Sequence, residues 1–285
     1  MITQERKAEV RQASKTAADK ELELRTLMRE FGRVLVAYSG GVDSAYLALI
    51  ANQELGDDAF AVMGLSPSVS SFQRSQAATI AKDSSLNFYT LETQELDDAS
   101  YKANPENRCF FCKNELYGKL ARFASERSID QICDGANVDD LLDHRPGRVA
   151  ANERGVLSPL AQVGFTKAEI RERSKYHGLA TWDKPASPCL SSRIAYGVPV
   201  TIERLGRIEQ AEDYLRSNGF KEFRVREHDD IARIEIARDE MEKILNLETT
   251  GRIAEVFRGF GFKYVTLDLQ GFRTGAMNEA LKASN

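Results

Sequence analysis

The sequence predicts an α/β protein: a mainly parallel, doubly wound sheet followed by a smaller α+β domain. Three observations predict it. Short β-rich runs alternate with helix-length runs as far as about residue 177, the pattern of βαβ units on a parallel sheet covered on both faces. The first strand runs straight into Ser39-Gly40-Gly41-Val42-Asp43-Ser44, a glycine pair at a strand–helix junction. Three prolines, Pro185, Pro188 and Pro199, then cluster around Gly197 and interrupt the alternation. A domain boundary is expected there, giving residues 1–197 and 198–285.

The elements follow in chain order. Leu24, Leu27, Met28 and Phe31 recur at helical spacing, so a helix precedes the first strand. The run 33–38 (RVLVAY) reads as strand, 43–55 as helix, 60–65 (FAVMGL) as strand and 72–84 as helix. Residues 87–91 (NFYTL) read as strand, 114–127 as helix and 131–135 (QICDG) as strand. A further helix spans 166–177, with Thr166 as N-cap and Glu169 completing a capping box. Beyond the boundary come a helix at 202–217, paired strands at 222–227 and 231–237, more helical sequence and a last strand at 263–269.

Composition narrows the function classes. The chain has 285 residues, 42% hydrophobic and 29% charged, enough for a sizeable core. Its net charge of −4 argues against a general nucleic-acid or anionic-membrane coat. The longest apolar run, 45–51, is seven residues, far short of the roughly 20 that cross a bilayer. The polar N-terminal run resembles no signal or transit peptide, so a cytoplasmic protein is expected.

The hexapeptide at 39–44 carries the strongest chemical signal. Gly40 and Gly41 let the backbone turn sharply and approach an anion, and the helix start beyond them favours phosphate. Ser39 and Ser44 add hydroxyl donors, the amide of Val42 lies in the turn, and Asp43 could hold a magnesium ion. The alternative is a tight turn capped by Asp43. Gly64 and Ser66 stand at the end of the second strand, and Gly135, Asn137 and Asp139 at the end of the fourth, where a parallel sheet receives its ligands. As ordinary turn residues they would need no ligand.

Of the four cysteines, Cys109 and Cys112 form a C-x-x-C pair, Cys189 stands far downstream, and Cys133 lies inside a predicted strand. Four thiolates usually close a zinc site, and Cys133 reads better as a small buried hydrophobe. Three thiolates suit an iron–sulfur cluster with one open iron; the alternative is three incidental thiols. His144, His177 and His228 are too dispersed for a zinc motif.

SGGVDS after a strand resembles the PP-loop of the N-type ATP pyrophosphatases, whose adenine nucleotide alpha hydrolase-like fold binds ATP. The resemblance implies that residues 39–44 hold the β,γ-phosphates of ATP with Mg2+, and that a substrate oxygen is adenylated with release of pyrophosphate. VMGLSPS (62–68) resembles the adenosine-binding edge, and DGANVDD (134–140) the G-T-N-x-D-D segment near AMP, with Ala136 for threonine. With RCFFCK (108–113), KPASPCLSSRI (184–194) and FRVR (223–226), nearly the whole chain is similar to the LarE family of ATP-dependent sulfur transferases. That family converts the carboxylates of a pyridinium-dicarboxylate mononucleotide into thiocarboxylates for the nickel-pincer nucleotide cofactor of lactate racemase. The likeness implies that Arg193, Arg224 and Arg226 meet substrate phosphate and carboxylates. It also sets Cys189 at the position some members sacrifice. The extra Cys109 and Cys112 resemble the branch in which a 4Fe-4S cluster carries the sulfur, so Cys189 is expected to survive turnover. Glu212 and Asp239 align loosely with acidic metal positions, or are solvated helix charges. A homo-oligomer is implied; the sulfur donor is not. Two other readings are an iron–sulfur tRNA thiolase, which the acidic charge and Val42 disfavour, and a non-catalytic ATP-binding module.

Overall fold

The computed structural model describes residues 15–141, 146–185 and 187–273; the polar N-terminal run and His144 lie outside the described residues. Helix α1 (Ala17–Phe31) starts at Thr16, where the Thr16 hydroxyl and the Asp19 carboxylate cap each other's backbone N–H. Then come β1 (Val34–Ala37), α2 (Val42–Leu55), β2 (Ala59–Leu65), α3 (Ser71–Asp83) and β3 (Asn87–Glu92), each within one residue of its predicted run. After them stand α4 (Ala99–Lys102), α5 (Arg108–Ser125), β4 (Gln131–Cys133), α6 (Val138–Leu141), α7 (Pro146–Glu153), α8 (Pro159–Gln162) and α9 (Lys167–Tyr176).

One boundary differs in a way that matters. Helix α5 begins at Arg108 rather than at the expected residue 114, so Cys109 and Cys112 lie within the helix and not beside it. The adjacent phenylalanines explain the difference, because they serve two cores at once. Phe110 packs under the sheet and Phe111 packs towards the C-terminal half, so the single apolar stripe expected of a helix is blurred here.

The four strands form one parallel sheet in the order β3-β2-β1-β4. Alternate residues of β1 supply opposite cores. Val34 and Val36 join α1, α2, α3 and α9, while Leu35 joins Tyr117, Leu120, Ala150 and Ala151 of α5 and α7. The sheet is therefore covered on both faces, the doubly wound arrangement expected from near-continuous apolar strands. From β1 the chain winds outward through β2 to β3, then crosses back to place β4 on the other side of β1. The winding reverses between β1 and β4, and the crevice at their carboxyl ends is where such sheets bind ligands.

A 3₁₀ turn (Leu190–Arg193) leads to α10 (Ile202–Ser217), β5 (Phe223–His228), β6 (Ile231–Ile236), α11 (Met241–Ile244), α12 (Leu247–Gly259) and β7 (Tyr264–Leu267). These strands form a separate sheet, β5-β6-β7, with β5/β6 antiparallel and β6/β7 parallel. One face, carrying Val225, Ala232, Ile234 and Ile236, builds a second core with α10 and α12. Among the described residues, no helix is long and apolar enough to cross a membrane.

Candidate functional site

The loop after β1 is shaped by what surrounds it. Gly40 adopts φ 72°, and a Cβ built on it would stand 2.6 Å from the Ala77 Cβ of α3, so glycine is required twice over. Gly41 is the N-cap of α2 and no side chain caps the helix. The first helical bond runs from the Ala45 N–H to the Gly41 carbonyl, which leaves the N–H groups of Val42, Asp43 and Ser44 without an intrahelical partner. The Ser44 hydroxyl accepts from the Ser39 N–H at 3.1 Å and lies 3.0 Å from the Ser39 hydroxyl. The loop is thus a preformed ring of donors at a helix N-terminus, suited to an anion.

The segment after β4 closes against this loop. A Cβ on Gly135 would lie 2.9 Å from the Ser44 nitrogen and 3.1 Å from the Asp43 Cβ; that approach is possible only to glycine. Buried Asn137 donates to Asp43 Oδ1 at 3.3 Å. Lys167, the first residue of α9, forms an ion pair with Asp43 Oδ2, and its N–H donates to Asp139 at 2.7 Å. Gly64 faces α5 instead: a Cβ there would stand 2.7 Å from Leu116 Cδ1. Ser66 is buried, and its hydroxyl accepts from the Ser68 N–H.

The third part is the Cys189 segment. Its flanking groups are held from several directions. The Leu190 N–H donates to the Ser68 carbonyl at 2.8 Å, and Ser68, Tyr101 and Ser191 form a buried triangle of hydroxyls at 2.7–3.0 Å. Buried Arg108 donates to the Ser191 carbonyl at 2.7 Å, and Arg226 to the Ser192 carbonyl at 3.0 Å. Arg193 donates to the carbonyls of Pro188 and Cys189 while its other edge grips Glu212 at 2.9 and 3.1 Å.

The three site cysteines share one neighbourhood. Burial, followed by the charge of Cys189, pushes the Cys112 thiol up from its ordinary value, while Cys109, one turn earlier on α5, is exposed. The guanidinium of Arg108 feels the charges of Cys189 and Cys109, and these outweigh burial and raise it. Cys133 is fully buried in β4, as the hydrophobe expected there. Among the described residues, no three His, Cys, Asp or Glu side chains are grouped closely enough to hold a metal ion.

The arginines form a charged cluster where the Cys189 segment meets α10 and the small sheet. Arg226 pairs with the fully buried Glu235, which also pairs with Arg233. The carboxylate of Glu212 is buried, which alone would raise it, yet Arg193 and Arg224 hold it below the ordinary value. Arg224 is pushed down to about 10 by burial, then by the nearby charges of Arg193 and Arg226. Glu212 is therefore not the solvated helix charge it could have been, whereas Asp239 is exposed on a separate turn.

No family model matches the chain. It is 43% identical over 90% of its length to an uncharacterized protein of Synechocystis sp., covering 96% of that protein. It is 35% identical over 93% of its length to the pyridinium-3,5-bisthiocarboxylic acid mononucleotide synthase of Lactiplantibacillus plantarum, covering 96% of it. The chain belongs to the LarE family. An uncharacterized protein of Methanocaldococcus jannaschii is similar as well, 30% identical over 85% of this chain and 91% of its own length.

Sequence reasoning on this LarE member missed Lys167, Arg108 and Gln73. By residue type Lys167 carries no signal in the sequence, and only the fold sets it on Asp43. Arg108 adjoins Cys109 and was available as a signal, because a cation beside a thiol alters its chemistry. Gln73 contacts the Cys189 segment, and Ala77, one turn further along α3, contacts Gly40. The loop after β1 and the cysteine segment are thus neighbours on one helix.

Proposed function

We propose that this chain is an ATP-dependent sulfur transferase that adenylates the carboxylates of a pyridinium-dicarboxylate mononucleotide and converts them to thiocarboxylates. The observation that carries the reading is the uncapped N-terminus of α2 beside a segment bearing Cys189, both held on α3. Its likeness to a synthase named for the bisthiocarboxylic acid product supports the choice of substrate.

The amides of Val42, Asp43 and Ser44, with the hydroxyls of Ser39 and Ser44, hold the β,γ-phosphates of ATP. Asp43 would hold Mg2+; in the free protein Lys167 neutralises it. Gly64 and Ser66 on one side and Gly135 and Asn137 on the other frame the nucleoside. A substrate carboxylate oxygen attacks the α-phosphorus, the bond to the bridging oxygen breaks, and pyrophosphate leaves. The acyl adenylate is a strong electrophile, and a sulfur nucleophile adds at the acyl carbon as AMP departs. Holding both partners on one scaffold supplies the proximity.

The substrate is an anion, and the junction is crowded with cations. Arg224, lowered by Arg193 and Arg226, gains from any phosphate or carboxylate placed beside it. Arg193 and Arg226 also orient the Cys189 segment through its carbonyls. Cys109, Cys112 and Cys189 match the donor set of a 4Fe-4S cluster and would have to draw together to hold one. When bound, such a cluster supplies a sulfur nucleophile without breaking the Cβ–Sγ bond of Cys189. We take the protein to be a cytoplasmic homo-oligomer acting on a small-molecule nucleotide rather than on tRNA, with residues 198–285 as the substrate and oligomerisation domain.

Anaerobic incubation with ATP, magnesium, sulfide and the mononucleotide tests the reading. Pyrophosphate, AMP and thiocarboxylate should form together, and Asp43→Ala should abolish pyrophosphate formation while the fold persists. Orthophosphate as the sole phosphate product would overturn it.

A further inference from the structure

Gln73 is the third residue of α3 and closes its capping box. Its Oε1 accepts from the Ser70 N–H and hydroxyl at 3.3 Å each, and the Ser70 hydroxyl accepts from the Gln73 N–H at 3.1 Å. A glutamate would serve that box equally well. The other end of the amide is what a glutamate lacks. Nε2 donates to the Ser187 carbonyl at 2.7 Å, the Ser187 hydroxyl at 3.0 Å and the Pro188 carbonyl at 3.4 Å. Two carbonyl oxygens can only accept, so the orientation of the amide is fixed by its partners.

One turn further along α3, Ala77 backs Gly40 of the phosphate loop and its carbonyl accepts from the Tyr38 hydroxyl at 2.9 Å. Residues four apart lie on the same helix face, about 6 Å apart. The start of α3 also meets α10: Glu209 accepts from the Ser71 N–H, and Arg216 stacks over Phe72 at 3.8 Å. One rigid turn of helix therefore sets the distance between the nucleotide loop and the cysteine segment.

We propose that Gln73 is a positioning residue that fixes Cys189 relative to the adenylation site, and so governs sulfur transfer separately from adenylation. The inference rests on the sulfur-transferase reading above. Its chemical logic is that an acyl adenylate is attacked only by a nucleophile held at contact distance. Gln73 touches neither reactant; it acts through the backbone of residues 187 and 188.

Gln73→Glu and Gln73→Ala separate the two ends of the amide. Gln73→Glu keeps the cap but sets a carboxylate oxygen against two carbonyls. It should lower the melting temperature less than Gln73→Ala does and release pyrophosphate within about twofold of wild type, while thiocarboxylate forms about tenfold more slowly, the loss expected for one good hydrogen bond. Alkylation of Cys189 by iodoacetamide, read from its peptide mass, should quicken in the same variant. Gln73→Ala should show the same split with a lowered melting temperature. Wild-type thiocarboxylate formation and unchanged Cys189 alkylation in Gln73→Glu would overturn the inference, as would a parallel fall in both reaction steps. If the wild-type protein releases no pyrophosphate, the functional reading fails instead, and the alkylation rates still decide where Gln73 acts.

Discussion

Gly135→Ala probes the contact that builds the crevice. The added Cβ would meet the Ser44 nitrogen at 2.9 Å and the Asp43 Cβ at 3.1 Å. Both belong to the first turn of α2, so no flexible side chain can swing away. Ordinary contact needs a further half ångström or more, and overpacking of this kind costs about 1–3 kcal/mol. The displacement falls on a backbone nitrogen at the uncapped N-terminus of α2, where the nucleotide phosphates are proposed to bind, and a misplacement of about 1 Å costs about 100-fold in reactions that depend on alignment. The control is Gly118→Ala in the middle of α5, where the new Cβ meets only the tip of Arg154 at 3.9 Å. That change should stabilise by about 0.5–1 kcal/mol, because alanine loses less backbone entropy in a helix. Urea unfolding by circular dichroism gives both stabilities, and pyrophosphate release gives the functional effect. The two substitutions should move stability in opposite directions, and Gly135→Ala should lose at least tenfold in rate. Equal stabilities and an unchanged rate in Gly135→Ala would refute the argument that this glycine is the hinge of the site.

Glu21 gives a pH prediction. Burial opposes its charge, but Arg173, His177, Arg25 and Tyr46 all bond to it and lower it from 4.5 to about 2. A folded value below the unfolded one contributes stability above pH 4.5 and loses it as pH falls towards 2, here about 3 kcal/mol. Glu21→Gln should be less stable by about that amount at pH 7, with the gap narrowing by roughly half by pH 3 and closing only below about pH 2; a constant gap in urea midpoints between pH 7 and pH 3 would contradict it. For the cysteines, anaerobically purified protein should be brown, and Ala at Cys109, Cys112 or Cys189, but not at Cys133, should remove most bound iron. Unchanged iron in Cys189→Ala would remove it from the ligand set. Cys189 should also keep its full mass after several turnovers with sulfide resupplied, and loss of one hydrogen sulfide per product would show that it is consumed.

Most of the parallel domain could be read from the sequence because burial and periodicity coincide there. A strand such as VLVA, buried on both faces, leaves no polar residue to confuse it, and capping boxes marked the start of α9 as predicted. The short helices α4, α6, α7 and α8 were not legible. Each is four to eight residues long, too short for a period to show, and α7 buries only Ala150 and Ala151. In β6 the sequence IARIEI suggests polar residues facing water, yet Glu235 is fully buried. Its face of the small sheet is covered by the junction, and Arg226 and Arg233 neutralise it. A pattern of residue types tells which residues share a face. It does not tell what covers that face.

The same limit explains the Cys189 segment, and it shows why charge is buried at the junction. Glu212, Glu227 and Glu235 are enclosed with Arg193, Arg204, Arg207 and Arg226. Buried ion pairs recover their desolvation cost only with good geometry and are poor sources of stability. What they supply here is orientation. Guanidiniums present donors in a fixed plane, and three of them, Arg108, Arg193 and Arg226, take the carbonyls of Ser191, of Pro188 and Cys189, and of Ser192. The N–H of Leu190 goes to Ser68, and the hydroxyl of Ser192 donates to the Cys189 carbonyl at 2.7 Å. The backbone on both sides of Cys189 is thereby fixed from both halves of the protein, while its thiol stays half-buried and unbonded to another cysteine. A segment held only by apolar packing could slide by a rotamer without much cost. One held by directional bonds to buried arginines cannot, and the sulfur proposed to meet an acyl adenylate before water does needs that restriction.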